Sequence, residues 1–495
     1  MPAKQTIKKT TKRTVKNRPK GHKVNKKAKV NSSVGSRIRR LLKLSTIRGR
    51  IVLYVVLFAV ICAGYMTYQS FAATPVPAGT PTSFSHPGVL VNKDQINRVK
   101  AKIATGEEPW KSALARAQSS PSGQSSYQPR AYTTVICYAS GEDHPSCKAE
   151  VEDALAAYTQ ALLWNYTGNK AHATAAIRIL NAWSKLTLHT SQPNGTADPA
   201  GATGVIGVYA NAAWAGDLFA RAAELTKHTN AGWSDKDSAK FEAMLRTAFL
   251  PKLIDEAQTG ANIRFSIASA NTGIGVFLDD STIFDRGVTQ WRRTVPSTIY
   301  LDSDGAKPPV PANNPASRAL RWCWNTDTEC RTYAQSLGAT YTNRNTLPRY
   351  TNGIQAETCR DAGHLAMGMA AMFDTAETAY IQGVDLYKEQ QPRLVAALEY
   401  NSRMLRYSQG ELTNAATKPS NWVCPPFSVD TSWGTGATRP TANTGDIAYN
   451  HYRGRIGLSL PYTAAFLREA TELNRRPQSS AKLMQAWETL THAYK

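Results

Sequence analysis

The first fifty residues contain no aspartate or glutamate, although they hold eighteen lysines and arginines. Removing those eighteen from the 59 basic residues of this 495-residue chain leaves 41 against 36 acidic ones. The formal charge of +23 is therefore a property of a tail, and the remainder carries only +5. A basic tail of this kind could touch nucleic acid, but the apolar segment that follows favours a topogenic role, and a nucleic-acid partner is not expected. Lys8-Lys9 and Lys26-Lys27, with Pro19 and Gly21 between them, bury too little apolar surface to fold, so residues 1–50 read as a disordered basic cytoplasmic tail.

Charge of either sign is then missing from Ile51 to Asn92. This stretch opens IVLYVVLFAVICAGY, and counted to Tyr68 it reaches about 18 residues, near the lower limit for crossing a bilayer. The positive flank on its N-terminal side predicts that the N-terminus stays inside and the rest crosses. Residues 51–70 are read as a transmembrane signal anchor, or as a signal peptide cut near Ser70-Phe71-Ala72. Either form puts the bulk of the chain outside the cytoplasm: periplasmic or at the cell surface, or secreted if cut. Cysteine is scarce, with seven residues. Cys62 falls in the apolar segment, and the other six suggest the pairs Cys137 with Cys147, Cys323 with Cys330, and Cys359 with Cys424. An oxidising compartment permits such bridges. No pair has zinc-finger spacing, and no cofactor or metal site is read.

Alternating strand patterns are also scarce, and helical periods take their place. Val151, Leu155, Tyr158 and Leu162 recur at steps of three and four, as do Phe241, Met244, Leu245 and Ala248. Ser234 and Asp237 ahead of the second set fit a capping box. Met369, Met372, Phe373, Ala376 and Tyr380 form another stripe, and so do Leu394, Ala397, Leu398 and Leu405. A Pro-rich linker over 71–85 leads into one domain, 86–495. Its repeated helices predict an all-α fold of antiparallel helical hairpins.

The domain opens His86-Pro-Gly-Val-Leu-Val-Asn-Lys-Asp and continues to Glu108-Pro-Trp110. It then shows Ala161-Leu-Leu-Trp-Asn-Tyr-Thr-Gly168, Ala176-Ile-Arg-Ile-Leu-Asn-Ala-Trp183 and Gly273-Ile-Gly-Val-Phe-Leu-Asp-Asp280. Further on come Glu357-Thr-Cys-Arg-Asp-Ala-Gly-His364, Ala448-Tyr-Asn-His-Tyr452 and Gly457-Leu-Ser-Leu-Pro461. In this order the segments resemble alginate-lyase-domain proteins over residues 86–475. The resemblance implies an (α/α) toroid, complete or incomplete, and β-elimination of an acidic, uronate-containing polysaccharide. The best-known toroidal alginate lyases place a histidine directly after the catalytic asparagine, where this chain has Ile263. They use a tyrosine near the position of His364.

A uronate lyase must remove the C5 proton beside a carboxylate whose charge opposes the removal. It needs donors that neutralise the carboxylate, a base, and an acid for the leaving oxygen on C4. The expected catalytic set is Asn262, Arg360, His364, Tyr449, His451 and Tyr452. Asn262 and Arg360 would neutralise the carboxylate, His364 would act as base, and Tyr449 or Tyr452 as acid, with His451 binding or activating. Glu357, Arg360, Asp361 and His364 would share one face if helical. Arg264, Glu357, Asp361, Arg455, Trp322 and Trp422 are the expected substrate-binding residues, the tryptophans by stacking on sugar rings. Two other readings stand beside this one. A glycoside hydrolase would use facing carboxylates such as Glu357 and Asp361, or Asp279 and Asp280. A non-catalytic glycan-binding envelope protein would fit the replacement at Ile263. A periplasm- or surface-dependent reporter fused after Lys495 is expected to be active, and a cytoplasm-dependent one silent; the reverse pattern would refute the predicted orientation.

Overall fold

A computed structural model describes residues 81–494 apart from 139–143, 200–205, 255–259, 307, 310–349, 359–361, 409–443 and 473–485. The span expected at 51–70 lies outside the described residues. Among the described residues no helix is long and apolar enough to cross a membrane.

The helices are α1 (Lys93–Ala104), α2 (Trp110–Ser119), α3 (Pro145–Thr167), α4 (Lys170–Trp183), α5 (Ile206–His228), α6 (Asp235–Met244), α7 (Ala261–Phe277) and α8 (Ser281–Thr298). They continue with α9 (Ala362–Ile381), α10 (Leu386–Glu389), α11 (Gln391–Ser408), α12 (Asp446–Tyr449), α13 (Pro461–Glu472) and α14 (Glu488–His492). A π-helical turn, Asn450–Arg455, prolongs α12. Among the described residues strand is limited to a parallel pair, β1 (Thr134–Ile136) and β2 (Leu188–Thr190), in register Val135 to His189. The domain is therefore all-α with little strand.

The helix starts follow local chemistry. Ser234 accepts a hydrogen bond from the Asp237 amide at the start of α6, the N-cap half of the predicted capping box, while its hydroxyl donates to the Asp237 carboxylate at 2.9 Å. Asn92 and Gln95 form a capping box on α1. Asp280 caps α8 through the Ile283 amide and pairs with Arg246 at 2.7 Å, which gives it a structural role.

Four long helices, α3, α5, α7 and α9, pack side by side in that order. They run in one direction. In the second turns of α3 and α5, Asn211 donates to Glu150 Oε2 at 2.5 Å. At their far ends, Trp164 donates to Thr229 at 3.1 Å. Between α5 and α7, Ser269 donates to Asp217 at 2.7 Å, and one turn on Ala220 faces Gly273. Helices α4 and α8 return antiparallel to their predecessors across short connections. In α7 every residue except Ile263 is buried, as expected of a helix enclosed by others. Each fully buried large apolar side chain here contributes about 1.5–3 kcal/mol.

One ion cluster crosses this core. Arg221 of α5 lies 2.5 Å from Asp217 and 2.6 Å from Asp374 of α9, with all three side chains buried. Its guanidinium also sits over the Tyr158 ring of α3, 5.6 Å from the centroid. Burial pushes both aspartates above the usual carboxylate range, and the guanidinium opposes that shift. Among the cysteines, Cys137 and Cys147 form a disulfide. The other expected pairs, Cys323 with Cys330 and Cys359 with Cys424, lie outside the described residues.

Replacing Arg221 by Met leaves two buried carboxylates uncompensated, and a loss of about 3–5 kcal/mol is expected. Denaturant unfolding measures it; a change below 1 kcal/mol, roughly the worth of an exposed pair, would show that the cluster is not a determinant of the fold.

Candidate active site

Because the inner helices are parallel, their N-termini share one end of the domain. Partial positive charge gathers there and favours an anionic ligand. Asn262 is the second residue of α7, whose N-cap, Gly260, offers no side-chain acceptor. The asparagine is thus inside the helix and is not its cap. A Cβ at Gly260 would stand 2.9 Å from Glu357 Oε1 and 3.7 Å from Asn262 Oδ1, so glycine admits both side chains to one small space. Arg264, a half-turn on, is buried.

Helix α9 approaches the same place. A Cβ at Gly368 would meet Gln355 Nε2 at 2.9 Å, Gln355 Oε1 at 3.4 Å and the Asn262 Cα at 3.5 Å. His364 is half-buried and lies one turn ahead of Gly368, on the same face of α9. Gln355 itself pairs with Ile299 in an isolated antiparallel bridge. Its backbone amide donates to Thr358 Oγ1 at 2.9 Å, and Thr358 donates on to Asn401.

Two polar groups in this cluster are buried and unsatisfied. Asn262 Oδ1 and both side-chain amide atoms of Gln355 have no hydrogen-bond partner among the described residues. Gln355 is fully buried and Asn262 nearly so. A buried amide without partners costs about 1–3 kcal/mol, which is tolerated most readily where a ligand supplies the missing bonds. Of these atoms Gln355 Nε2 is a vacant donor, able to serve a carboxylate, while Asn262 Oδ1 and Gln355 Oε1 accept.

Of the stripe expected over 357–364 if helical, Glu357 lies in a turn and His364 in α9, Ala362–Ile381. The Ile299–Gln355 bridge and the Thr358–Asn401 bond hold the turn around Glu357. Glu357 still reaches the site, through the turn. Arg360, Asp361, Trp322 and Trp422 lie outside the described residues.

Tyr449, His451, Tyr452 and Arg455 are not brought to Asn262 and His364. Arg455 makes a two-pronged ion pair with Glu377 in the last turns of α9, at 2.9 and 2.5 Å. Glu377 is thirteen positions beyond His364 on α9, about 20 Å along a helix. His451 stacks on Tyr387, with centroids 3.8 Å apart, and Tyr452 donates to the Tyr387 carbonyl at 3.2 Å. Tyr449 packs edge-on against Tyr494. Gln95 of α1 donates to Glu377 at 2.9 Å. Burial works against the Glu377 carboxylate, but His492 and Arg455 hold it well below the usual range. Burial and the nearby Arg455 charge lower His451 to about 4. The group fastens α1, α9 and the π-helical turn together at the opposite end of α9. The adjacency of two tyrosines, a histidine and arginines reflects that packing.

Gln355 was not singled out in the sequence, because a lone glutamine two residues ahead of a motif carries no local signal. Only the tertiary fold leaves its amide unpartnered beside Asn262.

Gly368→Ala is expected to push the flexible Gln355 amide off its place in this cluster. Turnover should fall at least about tenfold, an effect of the kind that follows a misplacement of about 1 Å at a catalytic group, while the fold is retained by circular dichroism. Unchanged turnover would detach Gln355 from the chemistry.

Comparison with known proteins gives these findings. Residues 101–308 match the sequence model of the family described as alginate lyase. No curated protein matches the chain. Among solved structures, alginate lyase A1-III from Sphingomonas species A1 aligns at 15% identity and a TM-score of 0.48, covering 84% of this chain and 98% of that one. A variant of alginate lyase A1-III complexed with a tetrasaccharide aligns at 14% identity and a TM-score of 0.49, covering 86% and 99%. An alginate lyase from Bacteroides ovatus aligns at 13% identity and a TM-score of 0.43, covering 77% and 95%. At these scores the structural likeness is general. The sequence match, which runs from α1 to just past α8, is the specific one: residues 101–308 carry the sequence pattern of the alginate lyase family, a pattern of polysaccharide lyases.

Proposed function

We propose that the protein cleaves a uronate-containing, alginate-like polysaccharide by β-elimination, outside the cytoplasm. The observation that carries this reading is the approach of two buried side-chain amides, Asn262 and Gln355, near the start of α7 and one turn along α9 from His364, with Gln355 Nε2 a donor that has no partner among the described residues. Their chemistry suits a sugar carboxylate. Donors to both carboxylate oxygens withdraw charge and make the C5 proton more acidic. His364 takes that proton, the C4–oxygen bond breaks, and a C4–C5 double bond forms. The leaving oxygen takes up a proton from the His364 imidazolium or from water, since Tyr449 and Tyr452 stand at the far end of α9. Arg360 remains a second neutraliser in this proposal, and Trp322 and Trp422 remain stacking platforms.

Placement outside the cytoplasm draws support from the Cys137–Cys147 disulfide, a bond that persists in oxidising compartments. The charge-free stretch after the basic tail supports it as well. The segment 51–70 would then tether the enzyme to the membrane beside its substrate.

The test is a screen of uronate polymers with the full-length chain in detergent. A lyase forms an unsaturated sugar that absorbs in the ultraviolet, while a hydrolase forms a new reducing end with no such absorbance. Absorbing product is expected, and His364→Ala should lower its rate by about 10²–10⁴-fold, the usual worth of a general base. Reducing ends without absorbance would favour the hydrolase reading. Binding without either product would favour a glycan-binding protein.

A further inference from the structure

The opposite end of the inner helices carries a second cluster that the lyase chemistry does not use. The chain enters the domain across the ends of α5 and α7. His86 Nδ1 lies 2.7 Å from Glu224 Oε1, and His86 Nε2 lies 3.1 Å from Asp279 Oδ1. The Gly88 amide also donates to Glu224 Oε1, at 2.8 Å. Glu224 is fully buried, yet its second oxygen, Oε2, has no hydrogen-bond partner among the described residues. His228, one helical turn away, is partly exposed, but its Nε2 atom is covered, stands 3.7 Å from that oxygen and has no hydrogen-bond partner among the described residues.

A separation of 3.7 Å is too long for a hydrogen bond. It does suit two ligands that each stand about 2.0–2.2 Å from one ion at a near-tetrahedral angle. One ligand atom from each of His86, Glu224 and His228 lies within 4.8 Å of the others. Helix α5 ends at His228 and α7 at Phe277, so the carbonyl ends of two helices add negative potential here. Two imidazoles and one carboxylate are the donor set of zinc-class ions, where a hard ion such as calcium would call for more oxygens.

We propose that His86, Glu224 and His228 bind a divalent cation of the zinc class. Asp279 orients His86 as an outer partner. The two imidazole rings stack with centroids 4.1 Å apart, so ligation turns the His86 ring off Glu224 Oε1 toward the ion. The bound ion clamps the entering segment onto the ends of α5 and α7, the point at which any pull from the membrane tether would reach the domain.

The test uses the full-length chain in detergent, stripped with a chelator and titrated with Zn²⁺ alone. Bound metal is counted after desalting, and the melting temperature is read with and without zinc. About one zinc per chain and a raised melting temperature are expected. His228→Asn and His86→Asn should each weaken binding by at least about tenfold, and Glu224→Gln should abolish it. His228 is partly exposed, so its replacement tests the site even if the Glu224 variant fails to fold. His364→Ala should bind zinc normally, which separates this site from the lyase reading. No retained zinc would overturn the proposal and leave His86 as a cation paired with two carboxylates. Wild-type affinity in both histidine variants would overturn it equally.

Discussion

A single buried guanidinium ties the inner helices together. Arg221 satisfies Asp217 on its own helix and Asp374 on α9, and α7 joins them through Ser269. Three charges out of water are costly unless each finds its partners. The helices can therefore slide past one another only by breaking those bonds. The tolerance for error along the axis is a fraction of a helical turn.

That constraint sets where the helices begin. With α5, α7 and α9 held in one register, Asn262 at the start of α7 and His364 at the start of α9 arrive at the same end. Gly260 and Gly368 then let side chains approach where a methyl group would collide. The far end is closed differently, by the Arg455–Glu377 pair and the stacked His451 and Tyr387 rings. The domain is thus polarised: one end holds amides without partners, and the other is tightly cross-linked. A rigid far end keeps the near end organised without a ligand, which lowers the cost of binding one.

How much of this was legible in the sequence depended on whether a feature is local. The cap at Ser234 and the stripe through Tyr158 and Leu162 follow from spacing of a few residues, and both appear in the structure. The family pattern pointed to Asn262 and His364, which the fold brings to one end of the inner helices. Spacing would put Glu357 on one face with His364 if the run were helical, but Glu357 lies in a turn whose Thr358 is bonded to Asn401, far away in the chain. Gln355 was invisible, since its lack of partners is created by residues far away in the chain. Tyr449 to Arg455 looked chemically rich, but Glu377 and Tyr387, distant in sequence, absorb that richness into packing. Polar residues in a motif mark a role without saying whether the role is catalysis or cohesion.

The central claim is that the amides at the helix N-termini recognise a sugar carboxylate. Calorimetric titration of a short uronate oligosaccharide, set beside the same oligosaccharide with its carboxylates reduced to alcohols, tests it most directly. The account predicts measurable binding of the acidic form, with loss of most of that affinity on reduction and in the Asn262→Ala, Gln355→Ala double variant. Equal binding of the two sugars, or undiminished binding by the double variant, would contradict it.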